Sequence, residues 1–139
     1  MRIMAIDYGD AHTGIAISDL TGLLAGYTTT LHSRRQGDIL AGIASLVREY
    51  GVTELVLGYP KNMDGTSGPR AEKAQELAER LEAALELPVR LWDERRTTID
   101  AHNILAVAGQ NAKKRKKTVD AVAAALILEG YLTYRRLQG

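Results

Sequence analysis

The fold is decided by residues 2–19, which read RIMAIDYGDAHTGIAISD. Two short apolar runs, Arg2–Asp7 and Gly14–Asp19, flank a turn rich in glycine and aspartate. A third run, Leu23–Leu31, follows a second turn and contains three consecutive threonines. Apolar runs of strand length that are separated by turn residues predict an antiparallel meander. We therefore expect the chain to begin as three antiparallel strands.

The rest of the chain alternates between helical and strand patterns. A strand that is followed by a helix and a second strand forms a parallel pair, because the helix carries the chain back across the sheet. We therefore expect an α/β domain with a mixed sheet of five strands flanked by helices. The predicted elements after the meander are a helix at Asp38–Tyr50 stopped by Gly51, a strand at Glu54–Gly58, a loop at Tyr59–Arg70, a helix at Ala71–Leu85, a strand at Val89–Asp93, a helix at Thr97–Val107, a basic loop at Gly109–Lys117 and a final helix at Thr118–Leu137.

Composition narrows the class of protein. The chain has 139 residues, of which 45% are hydrophobic and 25% charged, and this is typical of one globular domain spanning residues 1–139. No apolar run approaches the roughly 18 residues of a membrane span, and Met1-Arg2-Ile3 does not begin a signal peptide. The lack of cysteine excludes disulfides, thiolate metal sites and cysteine nucleophiles. We expect a cytoplasmic enzyme with no membrane partner.

Charge is distributed unevenly along the chain. Residues 110–139 carry a net charge of +5 and residues 1–109 carry −4, which leaves +1 overall. Five consecutive cations, Lys113–Lys117, account for this positive end. A polyanion such as nucleic acid suits such a segment better than a metabolite does. A solvated lysine loop explains the same composition, so charge alone leaves both interpretations open.

Three acidic residues stand where such a sheet places its chemistry, outside the carboxyl ends of the parallel strands. Asp7 ends the first strand, Glu94 follows the strand at 89–93, and Asp120 lies near the start of the final helix. Three converging carboxylates repel one another unless a cation is bound, and oxygen ligands without Cys or clustered His favour Mg²⁺ or Mn²⁺. Such a site suits hydrolysis of a phosphodiester, because two ions activate a water and stabilise the leaving oxygen.

Each acid also has a purely structural explanation. Asp7 can form an Asx-turn with its own backbone, residues 93–96 can form surface ion pairs, and Asp120 can stabilise the start of a helix. Strand side chains alternate between faces, so at most one of Asp93 and Glu94 shares the face of Asp7. We choose Glu94, because a residue just past the strand can lean over the edge of the sheet.

Four motifs in order carry a resemblance to a known family. They are DYGDAHTGIA at residues 7–16, GYPKNMDGT at 58–66, WDERRTT at 92–98, and KKRKK at 113–117 leading into VDAVAA at 119–124. Over nearly its whole length the chain resembles the YqgF/RuvX family of pre-16S rRNA nucleases, also described as Holliday junction resolvases. The resemblance implies the RNase H-like fold and a hydrolase acting on ester bonds that processes the 5′ end of pre-16S rRNA in ribosome biogenesis.

The resemblance also implies roles for individual residues. Asp7, Glu94 and Asp120 are then the catalytic and metal-binding acids, with Mg²⁺ or Mn²⁺ as cofactor and two ions expected. The first motif of the family often carries Arg where His12 stands here, and Asp10 adds an acid, so neither is included in the expected site. The expected nucleic-acid-binding residues are Lys61, Asn62, Arg95, Arg96, Lys113, Lys114, Arg115, Lys116 and Lys117.

Three alternative functions stay open. A four-way DNA junction is the alternative substrate, and its resolution requires a two-fold dimer. The sequence has no dimer signature, so monomer and homodimer both remain. A non-catalytic RNA-binding accessory factor also fits, because the sequence does not show that the three acids meet. A sugar kinase or actin-like ATPase shares the strand-turn-strand start but requires two such domains, and 139 residues supply one.

Overall fold

In the part of the chain that the structure describes, a five-stranded sheet carries helices on both faces. The computed structural model describes residues 2–19, 25–59, 68–93 and 112–138. The elements within these ranges are β1 Ile3–Asp7, β2 His12–Ser18, β3 Ala25–His32, α1 Gln36–Tyr50, β4 Glu54–Tyr59, α2 Pro69–Leu85, β5 Val89–Asp93 and α3 Ala112–Gln138.

The strands lie in the order β3-β2-β1-β4-β5. β1 pairs antiparallel with β2, and β2 pairs antiparallel with β3. β4 lies parallel to both β1 and β5. The predicted mixed sheet, with its first three strands antiparallel and the strands at 2–7, 54–58 and 89–93 parallel, is confirmed.

β1 is buried on both faces, and its side chains alternate between two cores. Met4 and Ile6 pack with α1 and α2 on one face. Ile3 and Ala5 pack with α3 on the other. All four residues are fully buried, which is why β1 reads as a continuous apolar run rather than as an alternating one. Asp7 continues the alternation and therefore belongs to the α3 face.

The last helix begins earlier than the sequence predicts. α3 starts at Ala112, so the prediction of a basic loop at Gly109–Lys117 is wrong for residues 112–117. Lys and Arg are good helix formers, and the apolar periodicity that follows them extends the helix. Cations near a helix N-terminus and like charges one turn apart cost only a few tenths of a kcal/mol each, roughly, which is too little to keep the segment unfolded.

A second correction concerns the end of the predicted loop at Tyr59–Arg70. Pro69 and Arg70 already belong to α2, because proline at the first helical position has no amide hydrogen that needs a partner. α1 ends as predicted at Gly51, which adopts the left-handed conformation at φ 66°. The predicted helix at Thr97–Val107 lies outside the described residues. Within the described ranges, no helix combines the length and the apolar character that a membrane span requires.

Candidate active site

Asp7 stands at the carboxyl end of β1, the central strand of the sheet. Its neighbour in β2 is Gly14. In β4 its neighbour is Gly58, because Ile6 pairs with Leu57 and the next position on each strand follows in register. Both neighbours lack a side chain, so the strands beside Asp7 add no side chain to its face. The carboxylate is half-buried and has no hydrogen-bond or ion-pair partner among the described residues. Asp7 is therefore placed as an available oxygen ligand.

The direction of α3 follows from a buried contact around Glu54, the first residue of β4. The Tyr131 hydroxyl donates to Glu54 Oε2, and Arg135 Nη1 donates to Oε1 at 3.1 Å. Arg90 Nε lies 3.3 Å from Oε2. Burial, and then the hydrogen bond to Glu54, raise the pKa of Tyr131 to about 12. Glu54 pairs with Ile3 at the amino ends of their strands, so the later half of α3 lies there and its beginning points toward the carboxyl ends.

The helical backbone carries position 120 to the edge where β1 ends. Asp120 precedes Tyr131 by eleven residues, which is about 16 Å along a helix. Asp7 follows Ile3 by four residues, which is about 13 Å along a strand. Position 120 is also one turn before Ala124, which is fully buried against the sheet. The Asp120 position and Asp7 therefore lie at the same edge, while the Asp120 side chain is outside the described residues.

The faces of β5 support the choice between the two neighbouring acids. Trp92 packs in the core under α3, and Arg90 reaches Glu54 on that same face. Val89 packs against the opposite core, so Asp93 belongs to the face of α1 and α2. Glu94 lies one residue past the end of β5 and outside the described residues, so its expected position on the face of Asp7 stays a prediction.

A metal fits the chemistry of Asp7, whose carboxylate oxygens are the hard ligands that Mg²⁺ and Mn²⁺ prefer. Among the described residues, no group of three His, Cys, Asp or Glu side chains is able to hold a metal ion. The expected ligand set is therefore not contained in the described part of the chain, because Glu94 and the Asp120 side chain lie outside it. The same holds for the expected nucleic-acid contacts, which are Lys61, Asn62, Arg95, Arg96 and the side chains of Lys113, Lys114, Arg115, Lys116 and Lys117.

The turn that follows Asp7 is tight. A Cβ atom added to Gly9 would lie 2.4 Å from the carbonyl oxygen of His12, so only glycine fits at this position. His12 itself contacts His32 across β2 and β3, with 2.8 Å between the two Nδ1 atoms and the rings edge to face. The imidazole of His12 is thus engaged with a second histidine.

A cationic cleft that was not predicted from the sequence lies beside this turn. Tyr8, Gly9 and Asp10 line one side, and the remaining lining residues, Arg34, Arg70 and Lys73, are all exposed cations. Arg34 stands in the turn before α1, and the other two stand in the first turns of α2. Since 36 residues separate the two arginines, no local pattern in the sequence links them.

Comparison with known proteins decides the family. Residues 1–134 match the protein family described as RuvX: Holliday junction resolvase. The chain belongs to this family. One relative, from Halothermothrix orenii, carries the name "Putative pre-16S rRNA nuclease" and is 44% identical over 135 residues, which cover 97% of this chain and 96% of the relative.

Solved structures confirm the fold class. RuvC of Thermus thermophilus in complex with a Holliday junction substrate matches 99% of this chain and 96% of its own, with a TM-score of 0.68 and 15% identity. The yeast mitochondrial Holliday junction resolvase matches 96% of this chain and 78% of its own, with a TM-score of 0.62 and 12% identity. These structures confirm the predicted RNase H-like fold, and the family together with its nuclease-named relatives confirms the predicted assignment to nucleases.

Proposed function

We propose that the chain is a divalent-metal-dependent nuclease that hydrolyses a phosphodiester bond in structured RNA and processes the 5′ end of pre-16S rRNA. The observation that supports the proposal is that Asp7 ends the central strand on the face covered by α3, whose beginning points toward the same edge of the sheet. Glu94 completes the set from the end of β5. The name of the curated relatives supports RNA as the substrate.

Asp7, Glu94 and Asp120 are the residues that would hold Mg²⁺ or Mn²⁺. The bound metal supplies a water of lowered pKa and stabilises charge on the leaving oxygen. The chain itself supplies three carboxylates on three different elements, β1, the end of β5 and α3. Because the sheet and the contact around Glu54 fix those elements before substrate arrives, the acids need little reorganisation to act together.

Cations on both sides of this edge suit a polyanionic substrate. Residues 113–117 occupy the first turns of α3, and position 120 lies within about 10 Å of them along the helix axis. We propose that the cations of this run, together with Lys61, Asn62, Arg95 and Arg96, contact the phosphates of the nucleic acid. Contacts of this kind position a substrate without reading its sequence.

The experiment is cleavage of a 5′-labelled RNA that contains the 5′ end of pre-16S rRNA and its upstream extension, with Mg²⁺, with Mn²⁺ and with EDTA. Wild-type protein should cut only with metal, and Asp7→Asn should abolish cutting without changing the melting temperature by more than a few degrees. Asp19→Asn is the matched control, because it makes the same chemical change just after β2, at the edge of the sheet opposite to the one where Asp7 lies. Full cleavage by Asp7→Asn at saturating metal would remove Asp7 from the site.

Resolution of a four-way DNA junction is the second candidate, and the description of the matching family favours it. A labelled junction in the same assay separates the two. Symmetric cuts in two strands by a dimeric protein would assign the chain as a junction resolvase. Binding of either substrate without cleavage under any metal condition would assign it as an accessory RNA-binding factor.

A further inference from the structure

We infer that the cleft between Arg34, Arg70 and Lys73 binds a backbone phosphate of the nucleic acid next to the one that is cut. This inference rests on the proposed function, because it places a second contact beside the nuclease site. The three cations of the cleft lie outside all four sequence motifs.

Among the residues that the structure describes, the cations of the cleft have no anionic partner. In the described part of the chain, several arginines outside the cleft, though not Arg35 and Arg48, have side-chain contacts: Arg80 donates to Gln36, Arg2 donates to the carbonyl of Tyr50, and Arg90 and Arg135 pair with Glu54. Arg34, Arg70 and Lys73 form no such contact with any described residue, although all three line one cleft. Among the described residues that line the cleft, three cations and the one carboxylate of Asp10 give an excess of two positive charges. Like charges gathered in this way repel one another until an anion enters.

Hydrogen bonds hold the backbone that carries Arg34 in place. The amide of Ser33 donates to the carbonyl of Ala11 at 3.1 Å, which ties the turn before α1 to the turn after β1. The Ser33 hydroxyl donates to Asp38 Oδ2 at 2.8 Å and accepts from the amide of Arg35 at 3.1 Å. The position of Arg34 is therefore fixed while its guanidinium is left available.

Tyr8 is held from the other side. Gln36 Nε2 lies 3.5 Å from the Tyr8 hydroxyl oxygen and donates to it, while Gln36 Oε1 accepts from Arg80 of α2. The hydroxyl oxygen of Tyr8 thus accepts a hydrogen bond, which leaves its own proton for another acceptor. A phosphate oxygen can accept this proton, and its negative charge complements the cations of the cleft.

The cleft is close enough to Asp7 to hold a neighbouring phosphate of the same strand. Tyr8 follows Asp7 directly. Asp10 comes three residues after Asp7, so the two lie at most about 11 Å apart along the chain. Tyr8 packs with the core under α1 and α2, whereas Asp7 belongs to the α3 face. A nucleic-acid strand bound at Asp7 would therefore have the basic start of α3 on one side of the sheet edge and this cleft on the other side.

The test compares two double variants that remove the same charge. Arg34→Ala/Arg70→Ala empties the cleft of two guanidinium groups, and Arg35→Ala/Arg48→Ala removes two exposed arginines of the α1 region that do not line it. Binding is measured by fluorescence anisotropy in EDTA over a salt series, with a labelled RNA hairpin that carries a 5′ extension and with a four-way DNA junction.

The cleft variant should bind both probes roughly tenfold more weakly at about 0.1 M salt, and its slope of log affinity against log salt should fall by about 1.4–1.8, as expected for two lost phosphate contacts. The control variant should keep the wild-type slope. Arg34→Lys/Arg70→Lys, which preserves charge, should keep most of the affinity. Equal slopes for the cleft variant and the control would overturn the inference.

The binding test is done in EDTA, without metal, so its result does not depend on the metal-dependent cleavage that tests the proposed function. If Asp7→Asn abolishes cleavage but the cleft variant binds like the control, only the cleft assignment fails. If Asp7→Asn cuts normally while the cleft variant loses affinity, the assignment of the nuclease site fails and the phosphate-binding cleft stands.

Discussion

Tyr131→Phe tests the contact that sets the direction of α3. The substitution removes one hydroxyl and leaves the ring, which is 4% exposed, in its core position. That hydroxyl donates to the buried carboxylate of Glu54. A hydrogen bond to a charged group contributes about 1.5–3 kcal/mol. We expect the free energy of unfolding to fall by about this amount, which lowers the melting temperature of a chain of this size by roughly 5–10 °C.

The pH dependence of the same contact gives a second, independent magnitude. The pKa of Tyr131 is raised from its ordinary value of 10.0 to about 12 in the folded chain. Because the folded pKa is the higher one, the stabilisation is complete below pH 10 and is lost as the pH rises toward 12. At pH 11 the unfolded chain gains about 1.4 kcal/mol by ionising this tyrosine, and the folded chain gains almost nothing. The stability difference between wild type and Tyr131→Phe should shrink by that amount.

The assay is urea unfolding followed by circular dichroism near pH 8 and near pH 11. Glu54→Gln provides the control background, since a neutral amide accepts a weaker hydrogen bond and the cost of Tyr131→Phe should fall to about 0.5–1.5 kcal/mol there. A cost below about 0.5 kcal/mol in the wild-type background, or a cost that does not change with pH, would show that Glu54 does not hold the hydroxyl. The argument that brings the Asp120 position to the edge beside Asp7 would then lose its support.

Three further predictions concern the turn, the acids and the metal. Gly9→Ala should destabilise the chain by about 1–3 kcal/mol, because the added Cβ would lie 2.4 Å from a backbone carbonyl oxygen. Gly37→Ala, in an open position of α1, should stabilise the chain by about 0.5–1 kcal/mol. Urea unfolding measures both effects, and equal effects would contradict the tight turn at Gly9. Asp93→Asn should slow RNA cleavage much less than Glu94→Gln, and the reverse ranking would show that the wrong neighbour was chosen. Mg²⁺ or Mn²⁺ should raise the melting temperature by mass action, by the equivalent of about 2.7 kcal/mol at a concentration of 100 times Kd. Asp7→Asn should abolish this rise, and an equal rise in that variant would place the metal elsewhere.

Local patterns in the sequence were enough to predict most of the sheet. β1 and β4 are mainly apolar runs bounded by turn residues, and the helices α1 and α2 show apolar residues at helical spacing. Such patterns can be read directly because burial acts on residues two, three or four positions apart. The end of β1 at Asp7 came from the same kind of pattern. Glu94 was chosen over Asp93 because it follows the strand and because the family resemblance implies it, and it stays a prediction.

The extent of the basic segment was settled only by the helix that follows it. Lysine and arginine suit both a solvated loop and a helix, so the run at residues 113–117 is ambiguous by itself. The apolar stripe that begins with Ala124 packs on the sheet and extends the helix back to Ala112. Tertiary packing of that stripe, rather than local propensity, decides the conformation of such segments.

By itself the sequence determined the succession of the described strands and helices along the chain, the end of the first strand at Asp7, and the family motifs. Tertiary structure alone decided the direction of α3 and the gathering of Arg34 with Arg70. The contact between Glu54 and Tyr131 joins residues 77 positions apart, and the two arginines meet only after α1 and α2 have packed on the same face. Contacts between residues so far apart leave no periodic trace in the chain, because neither partner's local environment depends on the other until the sheet has formed.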